Sequence, residues 1–503
     1  MTKKIEFGDF QTPENFTTGI VKLISKLIDK PSVVIEPTSG LGNFIQAAYN
    51  IWGEKTKYKG YEINEEYFNS STLKFKKINP IEIVKCDFFD TDWNSIVGTE
   101  TNTLILGNPP WVTSAKLGSL KSNNLPEKSN FQKHRGFDAK TGKANFDIAE
   151  WMIIKLVSSM VIGNSLAMLC KTSTARKVLM HFWKHGPEVA NAKIYVINSK
   201  EIFNVSVDAC LLFLTRTEKS DYVAEVYDDI HSEHYTSRFG TLNNELISNL
   251  DSYIEYSNLD GFSNCKWRSG IKHDASQVME LSLIDNKLLN GFGEIVDIED
   301  YCIYPLLKSS DLGNGRIIPR KFVIVTQKNI GEDTAFIKNL YPKTWEYLIK
   351  YSEILDQRGS SIYAKRPRFS IFGIGDYSFS DYKVAISGLY KNINFLAIPP
   401  YNDKPVMVDD TCNFIPCRSI EEASTLATML NSKESKEFLN SLIFFDSKRP
   451  VTIDILKRIS LSELARATNK FNKLHNFLSN PYENSTDEQL SLVFEKKRKY
   501  KIG

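Results

Sequence analysis

The run Leu104-Ile-Leu-Gly-Asn108-Pro109-Pro110-Trp111 puts a carboxamide, two prolines and an indole at the end of a short apolar strand. Doubly wound α/β proteins bind ligands at the carboxyl ends of their strands. Consecutive prolines remove two N–H donors and stiffen the backbone. The amide oxygen of Asn108 and the neighbouring backbone carbonyls are thereby left as rigid acceptors. An exocyclic amine needs such surroundings to act as a nucleophile. Its lone pair is tied up by conjugation, and acceptors on both N–H hydrogens pull the nitrogen towards a tetrahedral geometry. Trp111 offers a flat face for a stacked base. Taken alone, the tetrapeptide also reads as an ordinary strand-to-loop turn, since Asn-Pro is common punctuation.

Three further features fall at successive strand ends. Val34-Ile-Glu36-Pro37-Thr-Ser-Gly40-Leu-Gly42-Asn-Phe44 reads as a strand, an acid and a Gly-x-Gly turn opening a helix. Glycines there let a ligand approach the backbone. The dinucleotide fingerprint is not complete, because Ile45 stands where its third glycine belongs. Glu62, at the end of the next strand, is placed to accept from two ribose hydroxyls. Asp87, in Cys86-Asp87-Phe88-Phe89, can accept from an adenine amino group while Phe88 covers the ring. The steps from Gly42 to Glu62, Asp87 and Asn108 are 20, 25 and 21 residues. Each feature is weak alone; four consecutive strand ends carrying them together make a strong signal.

In this order, with Thr12-Pro13 ahead of them, the motifs resemble the gamma class of S-adenosylmethionine-dependent DNA adenine-N6 methyltransferases of restriction-modification systems. The resemblance covers residues 7 to about 215 by motif and the remainder by layout, with the target-recognition domain last. It implies that the segment from Phe7 to Thr12 and Pro13 closes over the methionine end of S-adenosylmethionine. It also implies that Glu36 and Gly40 line the amino-acid portion, that Glu62 holds the ribose, and that Asp87 with Phe88 holds the adenine. Pro37, Gly42, Phe44 and Ile63 complete the implied cofactor set. Asn108, Pro109, Pro110 and Trp111 are the implied catalytic residues. Phe203, in Lys200-Glu-Ile-Phe203-Asn-Val-Ser-Val207, matches a late motif whose Phe stacks on the other face of the extruded base. A core Phe at a strand start reads almost equally well there. The family more often has Tyr or Phe at position 111 and Asp at 36. Asn rather than Ser or Asp at 108 favours adenine over cytosine-N4.

These residues need a scaffold. Short apolar runs at Val33–Glu36, Tyr58–Glu62, Ile81–Cys86, Thr103–Gly107 and Ser165–Cys170 alternate with helical spacing, and Lys193–Ile197 and Val207–Phe213 follow. That texture predicts an α/β fold: a doubly wound, Rossmann-like methyltransferase sheet, followed by a mixed α+β target-recognition domain. The expected domains are 1–217 for catalysis, 218–270 as a connection, and 271–503 for DNA recognition with C-terminal helices. A length of 503 residues accommodates them.

Lys and Arg number 63 against 60 Asp and Glu, so any basic surface must be local. One local excess lies between Val112 and Asn145. Seven cations, among them Lys116, Lys121, Lys128, Lys133 and Arg135, face only Glu127 and Asp138 there. Beside a catalytic motif such a loop suits phosphates. Lys365, Arg366 and Arg368, with Lys448 and Arg449, are further DNA-contact candidates beside rigid backbone. The expected partner is double-stranded DNA, with cleavage left to a separate restriction endonuclease, because Glu434/Lys436 and Glu495/Lys497 lack an acidic companion. Seven scattered cysteines, and His181 and His185 without a glutamate between them, give no metal site. No apolar run suits a membrane span or a signal peptide, so a cytoplasmic location is expected. RNA adenine or protein glutamine methylation, and a non-catalytic DNA-binding specificity subunit, are the alternative readings.

Overall fold

The computed structural model describes residues 11–112, 147–243, 245–261, 263, 265–445 and 447–479. The chain divides into two compact units, Met1–Asp251 and Ser252–Gly503.

In the first unit, β1 (Val33–Glu36) lies centrally, and all four of its residues are buried. A strand covered on both faces needs the uninterrupted apolar run that its sequence shows. β2 (Lys57–Glu62) pairs parallel with β1, and β3 (Ile81–Lys85) with β2. On the other side β4 (Thr103–Gly107) and β5 (Ser165–Lys171) continue the parallel run. After β6 (Val189–Ile197) the chain returns as β7 (Ala209–Arg216), which inserts antiparallel between β5 and β6. The strands β8 (Val223–Tyr227), β9 (Ser237–Leu242) and β10 (Glu245–Ile247) extend the sheet to ten, in the order β10-β9-β8-β6-β7-β5-β4-β1-β2-β3. Part of the connection expected over 218–270 is therefore sheet. Its strands read as polar because each has only one or two buried residues.

Helices α1 (Glu14–Leu27) and α2 (Asn43–Trp52) share one core with β1 and β4, built on Ile20, Val21, Ile24, Val34, Phe44, Ile45 and Leu104. α3 (Glu65–Phe75) starts at Asn64, whose side chain accepts from the N–H groups of Glu66 and Tyr67. α4 (Ile148–Ser159) is capped by Asp147, and α5 (Thr172–His185) follows β5 directly. The Ile148 N–H donates to the Val112 carbonyl at 3.0 Å, joining the start of α4 to the chain beyond β4. The short α6 (Ser199–Phe203) connects β6 to β7.

The second unit holds two sheets. β13 (Lys287–Leu289), β12 (Glu280–Ile284), β15 (Lys321–Ile324), β14 (Ile303–Leu307) and β18 (Met407–Val408) form one, in that order. β11 (Arg268–Ser269), β19 (Cys412–Cys417), β16 (Tyr382–Ser387) and β17 (Leu396–Ile398) form the other, which is antiparallel. Helices from Ile420 to Ser479 complete the unit. The architecture is the α/β sheet followed by a mixed α+β unit that the sequence predicts. No helix among the described residues is long and apolar enough to cross a membrane.

Candidate active site

Because β1, β2 and β4 run parallel in near register, Glu36, Glu62 and Asn108 emerge on one sheet edge. The turn after β1 is shaped by Gly40 (φ +52) and Gly42 (φ +73), both in the left-handed region. A Cβ on Gly42 would lie 2.5 Å from the Phe75 ring, and one on Gly40 would lie 2.8 Å from the Gln11 amide. Glu62 braces the turn. One carboxylate oxygen accepts from the Gly40 N–H and the other from the Asn64 N–H, each at 2.7 Å. Ile63, next along, is 38% exposed at this edge. The Ser39 hydroxyl in the same turn is buried, with no hydrogen-bond partner among the described residues.

Glu36 is buried, and its carboxylate accepts from the Ile45 N–H at 3.3 Å in the first turn of α2. Burial holds its pKa well above the ordinary carboxylate range; the Ile45 N–H opposes this and the charge of Glu62 reinforces it. Asp87 is half-buried and accepts from the Phe89 N–H at 2.8 Å.

Asn108 is gripped at two points. Its side-chain Nδ2 donates to Thr12 Oγ1 at 3.2 Å, and its backbone carbonyl accepts from the Thr38 hydroxyl at 3.4 Å. Thr12 is itself buried, and its carbonyl accepts from Asn43 Nδ2 at 2.9 Å. Pro13 leads into α1. Pro37 and Pro109 are buried, and Pro110 is half-buried.

Three expectations need correction. Trp111 is not an open face. It is 6% exposed within the core, its indole N–H donates to the Leu169 carbonyl at 3.3 Å, and Phe203 meets it edge to face at 5.3 Å and 77°. The two rings are brought together as expected, but they touch, leaving no slot between them for a base. Phe88 is also buried. Its ring packs against Trp93 at 4.7 Å and near Phe89 and Trp151, so the aromatic cluster takes the surface expected to cover an adenine. Phe44 is a core residue of α2. Phe7, Lys116, Lys121, Lys128, Lys133 and Arg135 lie outside the described residues.

In the second unit, half-buried Arg358 donates to the carbonyls of Leu355, His273 and Ser370, and stacks 3.8 Å over the Tyr363 ring. It thereby pins the loop that presents exposed Lys365 and half-buried Arg366. Arg368 pairs with Asp356 at 2.6 Å and Arg449 with Asp410 at 3.2 Å, while Lys448 is exposed. Arg268, also basic in sequence, is buried over the Tyr377 ring.

Sequence reading gave no role to Thr38, Asn43 and Asn64. Each acts through one hydrogen bond to a motif residue or its neighbour, and small polar residues in turns carry no spacing signature.

No protein-family model matches the chain. The type II methyltransferase M.NspV of Nostoc sp. is 44% identical over 471 residues, which span 92% of this chain and 98% of that protein. Among solved structures, the type IIL restriction-modification enzyme MmeI in complex with DNA superposes with a TM-score of 0.50 at 13% identity. That match covers 93% of this chain and 68% of MmeI, and speaks to the fold alone. Identity of 44% across nearly the full length of both sequences carries the stronger conclusion: this chain belongs to the type II methyltransferase family.

Proposed function

We propose that the chain transfers a methyl group from S-adenosylmethionine to N6 of an adenine swung out of duplex DNA, as the modification activity of a restriction-modification system. The observation that carries this reading is the placing of Asn108 and Pro109 at the end of β4, on the same edge as the Gly40–Gly42 turn and Glu62. The names of its relative M.NspV and of the DNA-bound MmeI structure agree with it.

The residues around the turn suit S-adenosylmethionine. Gly40 and Gly42 set the left-handed turn, Glu62 stands at the end of β2 where the resemblance puts the ribose, Ile63 and half-buried Asp87 suit a purine, and Glu36 lies beside the start of α2. When bound, that group supplies an electrophilic methyl carried on a sulfonium.

The chain's own part is to prepare the amine. Asn108 Oδ1 and the Pro109 carbonyl each accept one N–H hydrogen, which concentrates the lone pair on nitrogen. Unstacking the base costs a few kcal/mol, recovered from contacts in the pocket. Trp111 is fixed by Leu169, so the base gains its place only if Phe203, on the five-residue α6, swings away from the indole. The second unit, with Lys365, Arg366 and Lys448, grips the duplex, and a separate endonuclease supplies cleavage.

Incubating the chain with tritiated S-adenosylmethionine and equal amounts of duplex DNA, RNA and protein tests this. Label is expected in duplex DNA, recovered as N6-methyladenine on digestion. Label in RNA or in glutamine amides would move the chain to another substrate, N4-methylcytosine would change the base, and no label at all would leave a specificity subunit.

A further inference from the structure

We infer that Thr12 is a positioning residue for Asn108: its hydroxyl accepts from the amide nitrogen and anchors the side chain at the end of β4. This deepens the reading above and rests on it.

A carboxamide has two ends of opposite character. Its oxygen only accepts hydrogen bonds and its NH2 only donates them. One orientation accepts an N–H from the substrate amine; the reverse sets N–H against N–H and gives nothing. The terminal torsion of asparagine is broad and nearly two-fold, so the side chain itself hardly distinguishes the two. The choice has to come from its neighbours.

Thr12 is one such neighbour. Asn108 Nδ2 donates to Thr12 Oγ1 at 3.2 Å across 96 residues of sequence. The threonine is well placed to hold that bond. It is 6% exposed, Asn43 at the start of α2 donates to its carbonyl, and Pro13 fixes the entry to α1 directly after it. Thr38 holds the Asn108 backbone from the other side. The amide is therefore clamped between the segment ahead of α1 and the turn after β1. Family resemblance gave Thr12 a place over the cofactor; the geometry gives it a second task, anchoring the Asn108 amide.

Thr12→Val removes the acceptor with little change of volume, and Thr12→Ser keeps it. Losing one anchoring hydrogen bond predicts a single-turnover methylation rate, at saturating S-adenosylmethionine, about tenfold lower in Thr12→Val. Thr12→Ser should recover most of the rate. A full rate in Thr12→Val, a loss confined to cofactor affinity, or no recovery in Thr12→Ser each overturns the assignment. If the unsubstituted chain itself labels no adenine, the parent reading falls and this one with it.

Discussion

At the scale of single residues, the proposed methyl transfer rests on one amide, that of Asn108, and its loss should be separable from cofactor binding. Asn108→Ala should lower turnover by about a hundredfold or more, as removal of one preorganised transition-state contact does, while S-adenosylmethionine affinity measured by calorimetry stays nearly constant. Near-full turnover in that variant would remove Asn108 from the mechanism. Glu36 makes a different prediction. Its folded pKa lies above the ordinary value of 4.5 because it is buried, so the folded chain keeps a proton that the unfolded chain gives up. Stability of the ligand-free chain should therefore fall as pH rises from 4.5 through the folded value. Glu36→Gln should flatten that slope in thermal melts, and an unchanged slope would show that Glu36 is not its source. The placing of Glu36, Glu62 and Asn108 at one sheet edge was legible in the sequence because strand ends fix their spacing. The setting of the aromatic residues was not: Trp111 and Phe88 have the right type at the right place, yet apolar rings go where burial is greatest.

At the scale of elements, the central strands were readable nearly to the residue, because strands covered on both faces must be apolar throughout. The edge strands β8 to β10, half exposed, were hidden in a stretch that reads as a connection. β16 carries a second kind of surprise, a lysine 1% exposed in the second unit. Lys383 Nζ donates to the Ser380 carbonyl and faces the Phe414 ring, and burial brings its pKa down from 10.5 to about 7; Asp381 and Cys417 oppose the shift. The unfolded lysine holds its proton up to 10.5, so the folded chain gains relative stability as pH rises from about 7 towards 10.5. Lys383→Met should abolish that gain and raise the melting temperature by a few degrees near neutral pH. A melting curve whose pH dependence matches the unsubstituted chain would show that Lys383 is charged throughout.

At the scale of the whole molecule, the net charge of +3 says little about partners, and the sequence could point only to local clusters. Of these, Lys365, Arg366 and Lys448 remain as cations without an ion pair among the described residues, whereas Arg368 and Arg449 are partly neutralised by aspartates. Replacing those three with alanine should weaken duplex binding and reduce the slope of log affinity against log salt by about 2 to 3, one increment per phosphate lost. Cofactor affinity should not change, and an unaltered salt slope would place the phosphate contacts elsewhere. The Val112–Ile148 hydrogen bond reaches furthest beyond the present sequence. Since that bond ties the residue after Trp111 to the first residue of α4, β4 and α4 keep one spacing whatever sequence joins them.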